Sequence, residues 1–283
     1  MKRHGWVGLG VIVVAEALLF AGAPIVGRWF TPLVWTGYVL VADALVARLC
    51  GRSYLTTDRL EGVLVALVSI AAWWLFEWYN APRFWRGGDD LRGLWWQYHA
   101  MEPNLLLRRL GYDWAFATIF PALFLTAAVL RARVFSWVRV APWRPSPARL
   151  QVAIAAGVVA VALPLLVVSS WLVPLVWTGF ALLLEPINHR RGRPSWLTAL
   201  ARGDASLLCA LLSAGAICGV LWEFWNYWAL TRWTYSVPYA GGVKIFEMPV
   251  LGYLGFPFFA LECFAIYHWV RGLLGVTDAP GVV

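Results

Sequence analysis

Charge is scarce in this chain. Asp, Glu, Lys and Arg make up 13% of its 283 residues, against 61% hydrophobic residues and a mean hydropathy of +0.68. So little polar surface does not coat a soluble globule, which excludes a soluble enzyme or binding module and implies a polytopic membrane protein. Cysteine is sparse too. Cys50, Cys209, Cys218 and Cys263 lie in or beside apolar segments without Cys-x-x-Cys spacing, so they read as small buried hydrophobes rather than a disulfide or metal framework. Histidine offers no ligand set: His4 and His99 are expected in loops, His189 at a basic helix end and His268 near a membrane boundary, so no metal is expected. Phosphate-binding and dinucleotide glycine loops, a nucleophile elbow and a haem-attachment motif are missing, and no cofactor is expected. The net charge of +8 does not point to nucleic acid, because Lys and Arg gather in short loops between apolar runs. There they set topology and meet anionic lipid.

What the chain has is apolar length. Runs of about 20 residues, enough to cross a hydrocarbon core, fall at Trp6–Val26, Leu33–Leu49, Leu60–Tyr79, Tyr112–Leu130, Leu150–Leu172, Leu175–Asn188, Leu207–Trp228 and Met248–Val270. The fold class expected is all-α, a transmembrane helical bundle of about eight spans. The start, basic at Lys2 and Arg3, then apolar up to Ala21-Gly22-Ala23, has the outline of a secretory signal, but Glu16 interrupts it and a retained first helix is expected. Most Lys and Arg, including Arg48, Arg52, Arg59, the cluster from Arg131 to Arg149, Arg190, Arg191, Arg193, Arg202 and Arg271, fall on the side shared by the two termini. By the positive-inside rule both termini are expected in the cytoplasm.

The chain also repeats itself. Pro32-Leu33-Val34-Trp35-Thr36-Gly37-Tyr38 recurs as Pro174-Leu175-Val176-Trp177-Thr178-Gly179-Phe180, differing only in the last aromatic. The same shift carries Asp43 onto Glu185, Ser53 onto Ser195, Leu55 onto Leu197 and Thr56 onto Thr198. After a small insertion the register reaches Glu77 and Asn80 opposite Glu223 and Asn226. The expected organisation is a first four-span repeat over 1–133, a cytoplasmic linker rich in Pro and Arg over 134–149, and a second repeat over 150–283. An even span count in each half makes the repeats parallel. The halves differ between Pro82 and Leu110, where Gly87-Gly88-Asp89-Asp90 and Trp95-Trp96-Gln97-Tyr98-His99 form a polar loop that reads as a lid or as a solvated loop lying on the membrane.

Acids inside hydrocarbon are costly and mark sites or pathways. Glu16, Asp43, Glu77, Glu185, Glu223 and Glu262 lie in or near spans, with Asp113 and Glu247 near their ends. Glu223 and Asn226, like Glu77 and Asn80, share a helix face at i and i+3, so the amide can orient the carboxyl as a general acid. The plain alternative is that each pair ties helices together. Aromatics follow Glu223 as Trp225, Tyr227, Trp228, Trp233 and Tyr235. They form an interfacial belt or, beside a proton donor, the walls of a site that stabilises cations. The last span contains Gly252, Gly255 and Pro257, so it is expected to begin as a broken helix with Glu262 turned into the bundle. Position 125, taken as its first-half counterpart, is Leu, with the weak acceptor Thr126 beside it, and the second half is expected to be the active one.

Two resemblances follow from these residues. Leu184-Glu185-Pro186-Ile187-Asn188-His189-Arg190, the Trp222 to Trp228 stretch and Glu247-Met248-Pro249 through Phe256 resemble a group of uncharacterised bacterial tandem-repeat membrane proteins. Trp233-Thr234-Tyr235, the glycines at 241 and 242, and Glu247-Met248-Pro249 ahead of a Phe-rich helix are similar to the membrane lycopene cyclase domain, whose members protonate a polyene and close a ring. That family sets paired acids just after the proline; here Glu247 precedes Pro249 and Glu262 follows much later. The resemblance implies an enzyme acting on an isoprenoid, carotenoid-like or other apolar lipid. Its catalytic set would be Glu223, Asn226, Glu247 and Glu262, with Trp225, Trp233, Tyr235, Glu185 and Tyr253 binding substrate and Asp43, Glu77 and Asn80 as repeat counterparts. The alternatives are a non-catalytic subunit or scaffold with a membrane-protein partner, and a small-molecule carrier with acids near the midplane.

Overall fold

The computed structural model describes residues 2–81, 93–238, 242–276 and 282. The helices are α1 Arg3–Phe20, α2 Pro24–Cys50, α3 Arg59–Asn80, α4 Leu105–Ala117, α5 Ile119–Arg133, α6 Pro147–Leu166, α7 Val173–Arg190, the short α8 Trp196–Ala201, α9 Ser206–Trp228 and α10 Gly255–Leu273. The strands are β1 Trp96–His99, β2 Arg232–Tyr235, β3 Lys244–Ile245 and β4 Met248–Pro249. Among the described residues eight segments are long and apolar enough to cross a membrane, α4 and α5 together forming one of them. The chain is therefore an all-α polytopic bundle and an integral membrane protein.

Several span limits differ from those read in the sequence; the fifth span ends at Leu166 rather than Leu172, and the sixth begins at Ser170 rather than Leu175. The first two helices meet at Ala21-Gly22-Ala23, where Gly22 takes a left-handed φ of 79° and Pro24 opens α2. Proline fits the first turn of a helix because its missing N–H would be unpaired there anyway. What resembled a cleavage site is thus a turn, and α2 begins well before Leu33. The fourth span starts earlier, at Leu105, and breaks at Thr118, three residues ahead of Pro121, whose ring removes a backbone donor from the ladder. The last span starts as expected: β4 and a 3-10 turn over Val250–Leu254 precede the helix proper. His4 lies in α1, its Nε2 3.1 Å from Asp43, and His268 is buried in α10 rather than placed at a boundary.

The packing repeats as the sequence does. Helix α1 lies along α2 as α6 lies along α7, and α5 packs on α2 as α10 packs on α7. Each half also lends its last helix to the other, since α5 packs on α9 and α10 packs on α3. At the end of the bundle where α3 and α9 begin, this exchange is fixed by charge. Arg131 of α5 reaches Asp204 and Ser206, while Arg271 and Tyr267 of α10 reach Glu61 of α3. The duplicated acids tie down the turns that follow their helices. Asp43 accepts from Ser53 Oγ at 2.7 Å and Leu55 N at 3.1 Å; Glu185 accepts from Ser195 Oγ at 2.6 Å and Leu197 N at 2.9 Å. Tyr38 meets Thr126 at 2.7 Å where its counterpart Phe180 donates its N–H to Glu262 at 2.9 Å, so Thr126, not Leu125, stands opposite Glu262.

Candidate functional site

At the other end of the bundle, α3 and α9 finish with Glu-x-x-Asn, and both amides do the same work. Asn80 Oδ1 accepts from Trp95 N at 2.9 Å and Trp96 N at 3.2 Å while its Nδ2 donates to Trp96 O at 3.0 Å. Asn226 accepts from Trp233 N and donates to Trp233 O, both at 2.8 Å. A buried amide that saturates both backbone groups of one residue sets where the next strand begins. The strands so placed, β1 and β2, pair antiparallel across the two halves, with Trp96 opposite Tyr235 and Tyr98 opposite Trp233. Alternation along a strand puts these four aromatics on one face, and all four line a chamber.

The chamber has an empty volume of about 1120 Å3, counting the part open to solvent, and its walls are almost wholly aromatic and apolar. Both halves build it. Trp35 and Trp177, equivalent positions of the duplicated Pro-Leu-Val-Trp motif, both line it, and so do Trp73, Trp222, Phe256 and Phe259. Trp35 packs on Trp222 with ring centroids 5.0 Å apart, and Trp177 on Phe259 at 4.9 Å. Gly219 lets α9 approach α10: a Cβ there would fall 2.2 Å from Phe256 Cγ. The rim is polar, formed by Arg28, Glu102, Arg108 and Thr231, with Arg28 Nη1 2.8 Å from Glu102.

The two acids of the duplicated motif are held differently. Glu77 Oε1 accepts from Trp73 Nε1 at 3.0 Å, Trp96 Nε1 at 3.1 Å and Tyr98 OH at 2.5 Å, and Glu77 is not among the lining residues. Glu223 lines the chamber and accepts the Tyr235 hydroxyl at 2.7 Å on Oε1, with the Trp233 indole close by, and its buried Oε2 has no hydrogen-bond partner among the described residues. Tyr235 in turn receives Trp233 Nε1 at 2.7 Å. Burial, and the Glu223 carboxyl beside it, push the Tyr235 phenol well above its usual 10.0, so it stays a donor to Glu223.

Comparison of the chain with protein-family models, with curated proteins and with solved structures gives no significant match. The site rests on geometry alone. Of the residues singled out in the sequence, the chamber gathers Glu223, Trp233 and Tyr235. Asn226 touches the site through the strand it clamps. Trp225 stands behind the wall, donating to Glu16 at 3.0 Å and packing on Trp35. Glu247 pairs with Arg232 at 4.0 Å, Tyr253 donates to Ile245 O, and Glu185 and Glu262 are buried in helix contacts, none of them lining the chamber. Gly87, Gly88, Asp89 and Asp90, and the glycine at 241, lie outside the described residues.

Sequence reasoning missed the first-half walls and one motif. Trp96-Gln97-Tyr98 echoes Trp233-Thr234-Tyr235, each following a Glu-x-x-Asn and each sending its tyrosine hydroxyl to that glutamate. The signal was present but hidden by the unequal lengths of chain before the two strands.

Proposed function

We propose that the protein is a membrane enzyme that binds an unsaturated, isoprenoid-like lipid in the aromatic chamber and acts on it by acid-initiated chemistry. The observation that carries this reading is Glu223 Oε2, a buried carboxyl oxygen without a hydrogen-bond partner among the described residues, which, unlike the similarly unpartnered Glu185 Oε2 and Glu262 Oε2, belongs to a side chain on the wall of an aromatic cavity. In its acid form Glu223 gives its proton to one carbon of a double bond, forming a C–H bond and leaving a cation on the neighbouring carbon. A second double bond closes onto that cation, and loss of a proton from an adjacent carbon returns it to the carboxylate. Atoms and charge balance as an isomerisation. The faces of Trp35, Trp177, Trp222 and Phe259 suit the cation, because each ring face carries negative charge. Tyr235 holds Glu223 in place, and Asn226 holds the strand that carries Tyr235. The similarity of Trp233-Thr234-Tyr235 and Glu247-Met248-Pro249 to the lycopene cyclase domain supports the same class of chemistry. The arginine-rich end, with both termini, is assigned to the cytoplasm of a bacterial inner membrane, which puts the chamber toward the outer leaflet.

The rival reading, a non-catalytic subunit, draws on Asp43, Glu77 and Glu185, which are spent on internal ties. Mass spectrometry of an organic extract of the purified protein separates the two. The wild type retains an unsaturated lipid, and Glu223→Gln, which keeps the shape but has no proton to give, accumulates the unreacted lipid with turnover lowered by about 100-fold or more. An extract without bound lipid, or identical lipid profiles for wild type and variant, refutes the enzyme reading.

A further inference from the structure

Native proteins leave few buried polar groups unpaired. Here four buried polar atoms without a hydrogen-bond partner among the described residues belong to side chains that line the chamber: Arg28 Nε, Thr31 Oγ1, Trp35 Nε1 and Glu223 Oε2. Three of them follow one another along α2 at helical spacing and so share a face. At 1.5 Å per residue, Arg28 sits roughly 10 Å nearer the rim than Trp35. A hydrocarbon would leave this ladder of donors unsatisfied, whereas a ligand with acceptor oxygens at one end would fill it.

The charge at the rim specifies the head further. Arg28 Nη1 holds the Glu102 carboxylate, and Arg108, whose Nε donates to the Glu102 main-chain carbonyl at 2.7 Å, lies close enough to act on the same carboxylate, so two cations face one acid and leave an excess positive charge. Phosphate offers a guanidinium several acceptor oxygens at once, and such charge-assisted bonds are the strong ones.

Resting on the lipid-binding reading above, we infer that the occupant is an amphiphile with a phosphate monoester head, held by Arg28 and Thr31 at the rim. Its unsaturated tail runs past Trp35 toward Glu223. Trp35 Nε1 is then left to a water or to an oxygen close to the head.

Chamber tryptophans report occupancy through intrinsic fluorescence, so the test is a titration of the purified full-length protein in neutral detergent. The probes are farnesyl monophosphate, farnesol, farnesene and inorganic phosphate. Farnesyl monophosphate is expected to bind about tenfold or more tighter than farnesol, and farnesol tighter than farnesene. Arg28→Lys keeps a cation for Glu102 but removes the Nε donor, and it is expected to weaken farnesyl monophosphate binding about tenfold with farnesol unchanged. Glu102→Gln removes the competing carboxylate and is expected to strengthen it, a gain that misfolding does not imitate. Equal binding of the three C15 probes, unmoved by either variant, overturns head recognition and leaves the lipid chamber standing. No response to any C15 probe overturns both. Inorganic phosphate binding as tightly as farnesyl monophosphate, and weakened equally by Arg28→Lys, assigns the rim to the free anion and overturns the lipid head.

Discussion

Removing Glu77 and removing Glu223 should have opposite consequences, although the two residues occupy equivalent places in the duplicated motif. Glu77→Ala removes the acceptor of three donors, Trp73 Nε1, Trp96 Nε1 and Tyr98 OH. At about 0.6–2 kcal/mol for each hydrogen bond within a membrane protein, the loss is roughly 2–6 kcal/mol. That is a large share of a typical folding stability of about 5–15 kcal/mol. Glu223→Ala orphans only the Tyr235 hydroxyl, which still accepts from Trp233, so the expected cost is about 0.6–2 kcal/mol. The assay is unfolding from neutral micelles by added SDS, followed by tryptophan fluorescence. Glu77→Gln serves as the control, since its carbonyl oxygen can still take the same donors and should keep most of the stability. Ligand retention should run the other way, preserved in Glu77→Gln and altered in Glu223→Gln. If Glu223→Ala proves as costly as Glu77→Ala, then Glu223 is as fully engaged as its twin, and the asymmetry on which the proposed function rests is gone.

Other perturbations separate the frame from the chamber. Asp43→Ala and Glu185→Ala should each cost roughly 2–6 kcal/mol by orphaning a buried hydroxyl and a backbone N–H, at about 1–3 kcal/mol for each group. The two costs should add in the double variant, and lipid retention in the same extracts should not change. Gly219→Ala places a methyl against the Phe256 ring, and overpacking of this kind costs about 1–3 kcal/mol. Because Phe256 lines the chamber, that variant should also shift the fluorescence response to ligand. At the α3 entrance, the Arg52 guanidinium holds the Asp58 carboxyl below its usual 3.8. Its stabilisation is therefore complete above that value and lost as pH falls through the lower folded-state value. Stability measured against pH should show this loss in the wild type, and Asp58→Asn should flatten it.

Much of the frame was legible because it is local. Apolar run length identified the spans, and the Pro-Leu-Val-Trp echo pointed to pairs of residues worth comparing. The shift that pairs Asp43, Ser53 and Leu55 with Glu185, Ser195 and Leu197 turns out to trace one hydrogen-bonded turn built twice. Boundaries were less legible, since Gly22 and Pro24 make a turn inside continuous apolar sequence and Pro121 breaks a helix without ending the span. The chamber was illegible for a different reason. Its walls come from α2, α3, α4, α5, α7, α9, α10 and a two-strand ribbon, and no local periodicity records which faces of distant helices meet. Six acids in or near spans looked alike in sequence. Packing distinguishes them: Asp43 and Glu185 hold turns, Glu77 holds a wall, Glu16 and Glu262 join helices, and Glu223 faces a cavity.

Duplication explains how one such acid can be freed without losing the fold. Both Glu-x-x-Asn motifs place a strand with the amide and meet a tyrosine with the acid, so each half supplies one strand of the ribbon. In the first half, Trp73 and Trp96 add two donors and cover Glu77. In the second half the corresponding indole, Trp233, donates to the Tyr235 hydroxyl, and Glu223 lines the chamber as Glu77 does not. The two carboxyls thus differ in the number of indole donors that meet them and in which one faces the chamber. Two substitutions should exchange the roles in part: Trp96→Phe removes a cover from Glu77, and Tyr235→Phe sends Trp233 Nε1 in search of Glu223. In the second variant Glu223 keeps its carboxyl, yet its orientation passes from a phenol to an indole. Its lipid turnover should fall while retention of the lipid persists. Loss of retention with turnover per bound lipid unchanged would instead make Tyr235 a wall residue and nothing more.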